Sequence, residues 1–169
     1  NPGDQMGSGI FAFSFSNGPV LMLSAHGGRG AVTYLNPANP PRGAISAANS
    51  LVGSTFGDGN GQYQEFVTAN LRAINSPSWN NGAVTDAGAV TMLDLSTGTF
   101  AGTATPIAGR ISAANSLVGT FANDALGTNG RGGAISVFQM GGITQGAVMS
   151  PNWNGNRGAI TWYTLGAAL

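Results

Sequence analysis

Phe11, Phe13 and Phe15 alternate with Ala12, Ser14 and Ser16, a period of two that puts three rings on one face of a half-buried strand. Asn17-Gly18 follows, and then the continuous apolar run Val20-Leu21-Met22-Leu23. Two such runs flanking Asn-Gly predict a hairpin, because the favoured two-residue turn needs positive φ at both central positions. Asn-Gly returns at 60, 81, 129 and 154, so tight turns are expected along the whole chain. A third strand is predicted at Gly30-Ala31-Val32-Thr33-Tyr34, and its pattern recurs at Gly88-Ala89-Val90-Thr91-Met92 and Gly158-Ala159-Ile160-Thr161-Trp162. The last position of each carries a large apolar side chain, which places it in the core.

The recurrence extends well beyond one strand. Ile45-Ser46-Ala47-Ala48-Asn49-Ser50-Leu51-Val52-Gly53 returns unchanged as Ile111 to Gly119, and Ser76-Pro77-Ser78-Trp79-Asn80 returns as Ser150-Pro151-Asn152-Trp153-Asn154. Asp followed three residues later by Gly occurs at Asp4/Gly7, Asp58/Gly61 and Asp124/Gly127. Three copies of one unit account for this: residues 1–53, 54–119 and 120–169, the last partial at its C-terminal end, together forming one structural domain. Length variation falls in Asn36 to Arg42 and Ser96 to Pro106, polar or Pro/Gly-containing stretches of the kind that tolerate insertion as loops. The nonapeptide admits a short helical turn by its Ala content, but its Gly and β-branched neighbours favour a fourth strand or an extended connector.

Composition points the same way. Of 169 residues 28 are Gly and 7% are charged, with six Arg and no Lys; such a chain is poor in helix formers and rich in turn residues. Formal net charge is zero and no basic cluster exists, so the electrostatic footprint of nucleic-acid binding is missing. No apolar run approaches the roughly 18 to 20 residues that span a bilayer, and no membrane span is expected. The opening Asn1-Pro2-Gly3-Asp4 reads as mature or excised material rather than a signal segment. The absence of Cys removes disulfides, thiolate metal sites and thiol catalysis together.

The Val52-Gly53 step into the Asp58/Gly61 turn, the Ser76-Pro77 turn and Gly88-Ala89-Val90, with Val118-Gly119, Ser150-Pro151 and Gly158-Ala159-Ile160 in the next copy, resemble the blade of an integrin-α-type (FG-GAP) β-propeller. The whole string is similar to tandem repeats of large secreted bacterial proteins of the filamentous-haemagglutinin and adhesin kind. That resemblance implies three tandem four-stranded blade-like repeats, part of a ring or array, in an exported surface or extracellular protein. FG-GAP blades commonly carry an Asp-rich calcium loop; Asp58-Gly59-Asn60-Gly61 is the nearest approach, and six acidic residues in the chain supply few of the oxygens calcium needs. No metal or other cofactor is expected. Propellers close with about four to eight blades, so three copies imply a piece of a longer array, a ring completed by another chain, or an open β-solenoid stack.

Candidate chemistry is thin. His26 is the only histidine, and no Gly-x-Ser-x-Gly elbow accompanies it; a loop role is preferred, and no catalytic residue is assigned. Asp4, Asp58 and Asp124 share one register position, which favours a structural task such as an Asx turn. Trp79, Asn80 and Asn81, with Trp153 and Asn154, are the candidate ligand-binding residues: an aromatic beside amides can stack on a sugar face while the amides bond its hydroxyls. The competing reading has each Trp cover the end of its own repeat. The expected function is therefore a non-enzymatic extracellular or cell-surface module, adhesive or structural. Its expected partners are other repeats of the same protein, by self-association through edge strands that lack Lys, and glycans or host-surface ligands. The alternative is a carbohydrate-binding propeller that uses the Trp-Asn turns.

Overall fold

Every Gly-Ala-(Val/Ile)-Thr segment forms the third strand of an antiparallel sheet in the computed structural model, which describes residues 9–12 (backbone only), 18–128 and 134–165. In the first sheet β1 (Gly9–Ala12), β2 (Val20–Ser24) and β3 (Ala31–Leu35) form a meander, and the two-residue β4 (Leu51–Val52) adds to the edge of β3. In the second, β5 (Tyr63–Phe66), β6 (Leu71–Ser76) and β7 (Ala89–Asp94) do the same; β8 (Thr99–Phe100) and β10 (Leu117–Val118) both pair with β7. The short β9 (Gly109–Arg110) runs parallel to β4 and extends the first sheet. The third sheet is β11 (Ile135–Met140), β12 (Ile143–Ser150) and β13 (Ala159–Thr164), with a single turn α1 (Trp153–Asn156) between the last two. Inside that turn Asn154 has φ 50° and Gly155 φ 69°, the left-handed pair that an Asn-Gly hairpin connection requires.

The duplicated nonapeptide folds the same way twice. Ser46 N–H and Ser112 N–H donate to the amide oxygens of Asn49 and Asn115 at 3.0 Å, and those amides donate back to the carbonyls of Ala44 (3.0 Å) and Arg110 (2.9 Å). Identical sequence gives identical local bonds in two settings, so the turn is set locally. It delivers Leu51-Val52 and Leu117-Val118 as fourth strands in matching registers, Val32↔Leu51 and Val90↔Leu117. One residue on, Thr33 and Thr91 meet Ser50 and Ser116 through hydroxyl pairs of 2.7 and 2.6 Å. The segment is thus a turn followed by a strand, and combines both readings of its sequence.

Two apolar cores separate the three sheets. Leu21, Val32 and Leu51 of the first sheet pack with Ile74, Ala89 and Leu93 of the second. Leu71, Ala73, Val90 and Met92, from the opposite face of the second, pack with Ala134, Val148 and Tyr163 at the third. Alternation along β7 therefore feeds one core with Ala89 and Leu93 and the other with Val90 and Met92, as a strand buried on both faces must. The stretch Ser96 to Pro106, read as a loop, holds β8, and its Phe100 is buried in the first core.

The described residues are all-β and form three separate sheets with no closed barrel, a succession of sheets with a core at each junction. Two expectations need correction. β1 and β2 pair antiparallel as a hairpin, but the register Ala12↔Val20 is not that of a two-residue turn at Asn17-Gly18; Phe13, Phe15 and Asn17 lie outside the described residues. Met92 is 4% exposed and Tyr34 is half-buried, but Trp162, the same position in the third copy, is 60% exposed. It lies on the sheet face that no further sheet covers among the described residues.

Candidate functional site at the junction between repeats

Asp58 has no exposed surface, and its carboxylate is the hub of the first junction. Oδ2 accepts from the backbone N–H of Ser54 and of Thr55, and Oδ1 from the Thr55 hydroxyl (2.7 Å), the Asn80 N–H (3.1 Å) and the Asn80 side-chain amide (2.9 Å). Asn80 belongs to the Ser-Pro-Ser-Trp-Asn turn between β6 and β7. Residues 53–60 in turn bond the β2–β3 turn of the preceding sheet: Gly53 N–H to Gly30 O, Gly57 N–H to Gly28 O and Asn60 N–H to Arg29 O. One loop therefore fastens the turn of one sheet to the turn of the next. A carboxylate that accepts several N–H groups in a dry setting makes strong charge-assisted bonds.

Asp124 repeats the arrangement at the second junction. Oδ2 accepts from Thr120 and Phe121 N–H (3.0 and 2.9 Å), and Oδ1 from Asn154 N–H (2.9 Å). Gly119, Ala125 and Leu126 donate back to the carbonyls of Gly88, Asp86 and Ala87. The recurring Asp is structural, as its register implies, but it accepts from residues three and four positions earlier and from the next Trp-Asn turn, which is not the local Asx turn expected. Asp4 lies outside the described residues.

Close approach dictates the recurring glycines. A Cβ on Gly30 would lie 2.3 Å from the backbone nitrogen of Asn60, and one on Gly88 2.1 Å from that of Leu126, and both glycines have φ above 70°. Only Gly permits that combination of left-handed backbone and backbone contact. Asn60 adds a buried relay, donating to Leu51 O (2.7 Å) and accepting from the Ser76 hydroxyl (3.0 Å).

The residues singled out as a ligand site are largely consumed by this joint. Trp79 is 3% exposed and lies within the first core, with its indole N–H unpartnered. Asn80 serves Asp58 and accepts from Asp86 N–H at 2.9 Å, and Asn81 donates to Gly119 O at 3.0 Å. Trp153 and Asn154 are half-buried, the indole edge-on to Phe121 at 6.0 Å. Trp79 is closed to a sugar ring, and it shares no surface with Trp153 that the described contacts reveal. His26, half-buried, sits in the 3-10 turn His26–Gly28 at φ 39°, and Arg110 braces the first joint through Ser54 O at 3.3 Å.

One tie was invisible to the repeat. Glu65 on β5 accepts from Ala134 N–H (2.7 Å) and Ile135 N–H (3.2 Å) at the start of β11, and from the Asn75 amide. The second and third sheets are thereby joined away from the Asp loop. Burial, followed by the charge of Glu65, pushes the Tyr163 phenol up to about 12. Glu65 belongs to no recurring landmark, so internal comparison offers no signal for it.

Among the described residues no group of three or more His, Cys, Asp or Glu converges on a common point where a metal ion would sit, and no helix is long and apolar enough to cross a membrane. The oxygens of Asp58 already face N–H and O–H donors, the opposite of what a cation asks of its ligands. No curated protein matches the chain. A family described as a repeat of unknown function (DUF5650) matches residues 24–62 and 73–128, more than half of the sequence. Each matched span contains a third strand, a copy of the nonapeptide and the Asp-x-x-Gly joint, ending just past the joint. The chain belongs to this DUF5650 repeat family.

Proposed function

We propose that the chain is a non-enzymatic structural segment of an extracellular or cell-surface bacterial protein, in which the repeats act as spacers or scaffolding. One observation carries this reading: the side chains of Asp58 and Asp124, Thr33 and Thr91, Ser50 and Ser116, which recur between copies, and of Asn80 all bond within or between repeats. Catalytic and ligand-binding groups need free valences pointed at a cleft, and these have spent theirs on neighbours. The exported setting rests on the resemblance to adhesin-type and FG-GAP-like tandem repeats alone.

The glycan-binding alternative retains one partly accessible turn, at Trp153 and Asn154. A combined experiment separates the readings: antibody labelling of intact cells that make the parent protein, and a glycan array probed with the purified chain. Labelling without lysis and no retained glycan are expected. Retention on a sugar that is abolished in Trp153→Ala, or hydrolysis dependent on Asp124, would contradict the structural reading.

A further inference from the structure

The three third strands share a sequence pattern but not surroundings. On β3 and β7 the leading residues are covered: Ala31, Val32, Ala89 and Val90 have no exposed surface. On β13 Ala159 is only half-buried, and Ile160 and Trp162 are 59% and 60% exposed. The covering is the same in both earlier sheets, a Leu-Val fourth strand on the edge and the Asp-x-x-Gly loop against the glycine. At Gly158, by contrast, the nearest atom to an added Cβ is the carbonyl of the chain's own Pro151 at 3.6 Å. Gly158 nonetheless has φ +75°, matching +74° and +76° at Gly30 and Gly88.

The vacant position is a groove of about 540 Å³ lined by Met149, Ser150, Pro151, Gly158, Ala159 and Ile160. Among the described residues β13 pairs only with β12, so its other edge offers free backbone groups. Thr161 stands where Thr33 and Thr91 meet the serine hydroxyls of Ser50 and Ser116. Exposed edges with an adjoining apolar face favour strand addition, in which main-chain bonds give affinity and side-chain pockets give specificity.

We infer that the β13 edge and the Gly158 groove form an acceptor site for the fourth strand and joint of a further copy of this repeat, a segment of the type Ile-Ser-Ala-Ala-Asn-Ser-Leu-Val-Gly followed by Asp-x-x-Gly. The occupant is identified by continuity with the two junctions already formed in the chain. Its leucine pairs opposite Ile160 as Leu51 does with Val32 and Leu117 with Val90, and its second serine meets Thr161. The loop after its glycine takes the place that Asn60 and Leu126 hold over Gly30 and Gly88. This assignment builds on the array reading of the previous section and specifies the surface through which the array extends.

A synthetic peptide with the sequence of residues 111–127 tests it against the full chain, because it contains no Trp while Trp162 reports from the acceptor strand. Binding with a blue shift of the Trp fluorescence is expected, weakened about tenfold or more in Ile160→Lys, which puts a charge where an apolar contact would be buried. Ile160 is exposed, so that variant folds as the parent does. A peptide with Asp in place of its Leu should lose binding, and Ile143→Lys, at the far end of the third sheet, should keep it. Absence of binding at millimolar peptide, or binding indifferent to Ile160→Lys, would overturn the assignment. Neither result would touch the array reading, which stands on the internal junctions and fails separately if Asp58 proves dispensable.

Discussion

Tyr163 illustrates how a single residue can tie a junction to pH. Its ring folds over Gly146, its cross-strand partner, where a Cβ would lie 2.1 Å from the ring carbon Cζ; the side chain is 7% exposed and its hydroxyl has no partner. Burial and, secondarily, Glu65 raise its pKa from 10.0 to about 12. The native state holds the neutral phenol, so below pH 10 ionisation makes no difference between folded and unfolded chain. Between about pH 10 and 12 the unfolded phenol loses its proton first, and stability falls across that window. Tyr163→Phe, which removes an unpartnered hydroxyl, should flatten this alkaline loss while leaving neutral-pH stability within about 1 kcal/mol. Urea unfolding at pH 8 and pH 11 reads both effects, and an identical alkaline loss in the variant would disprove the assignment.

At the scale of elements, the sequence was most legible where a segment repeats. The third strands, the fourth-strand leucines and the position of the recurring Asp were all marked by internal comparison, because a unit that must bury one neighbour after another keeps the same contacts. Legibility failed for the Ser-Pro-x-Trp-Asn turns. Two similar strings suggested two similar sites, whereas the first Trp fills the core between sheets and the second packs at a junction with less covering it. Burial of an indole depends on how many sheets surround it, which no local string encodes. Glu65 and the Phe100 strand were missed for the related reason that they occur in one copy only. The two turns should therefore respond differently to truncation. Trp79→Ala removes a buried ring and should cost about 3 to 5 kcal/mol, while Trp153→Ala should cost about 1 kcal/mol. Thermal unfolding of the two variants compares them directly, and equal losses would contradict the different placements.

At the scale of the whole molecule, stability in a succession of sheets is a sum of sheet terms and junction terms. The junctions here combine an apolar core, a backbone seam permitted by glycine and a buried carboxylate that joins two turns. Low charge and the absence of Lys leave the outer edge of β13 without the side chains that usually block strand pairing, in keeping with the proposal that a further copy adds there. The recurring Asp holds consecutive repeats together. Equilibrium urea unfolding of Asp58→Ala beside the parent chain tests this most directly. Removing the carboxylate strands the N–H groups of Ser54, Thr55 and Asn80 in a buried joint, and the variant should lose roughly 2 to 4 kcal/mol. A loss below about 0.5 kcal/mol, the size expected for an exposed surface substitution, would contradict the account.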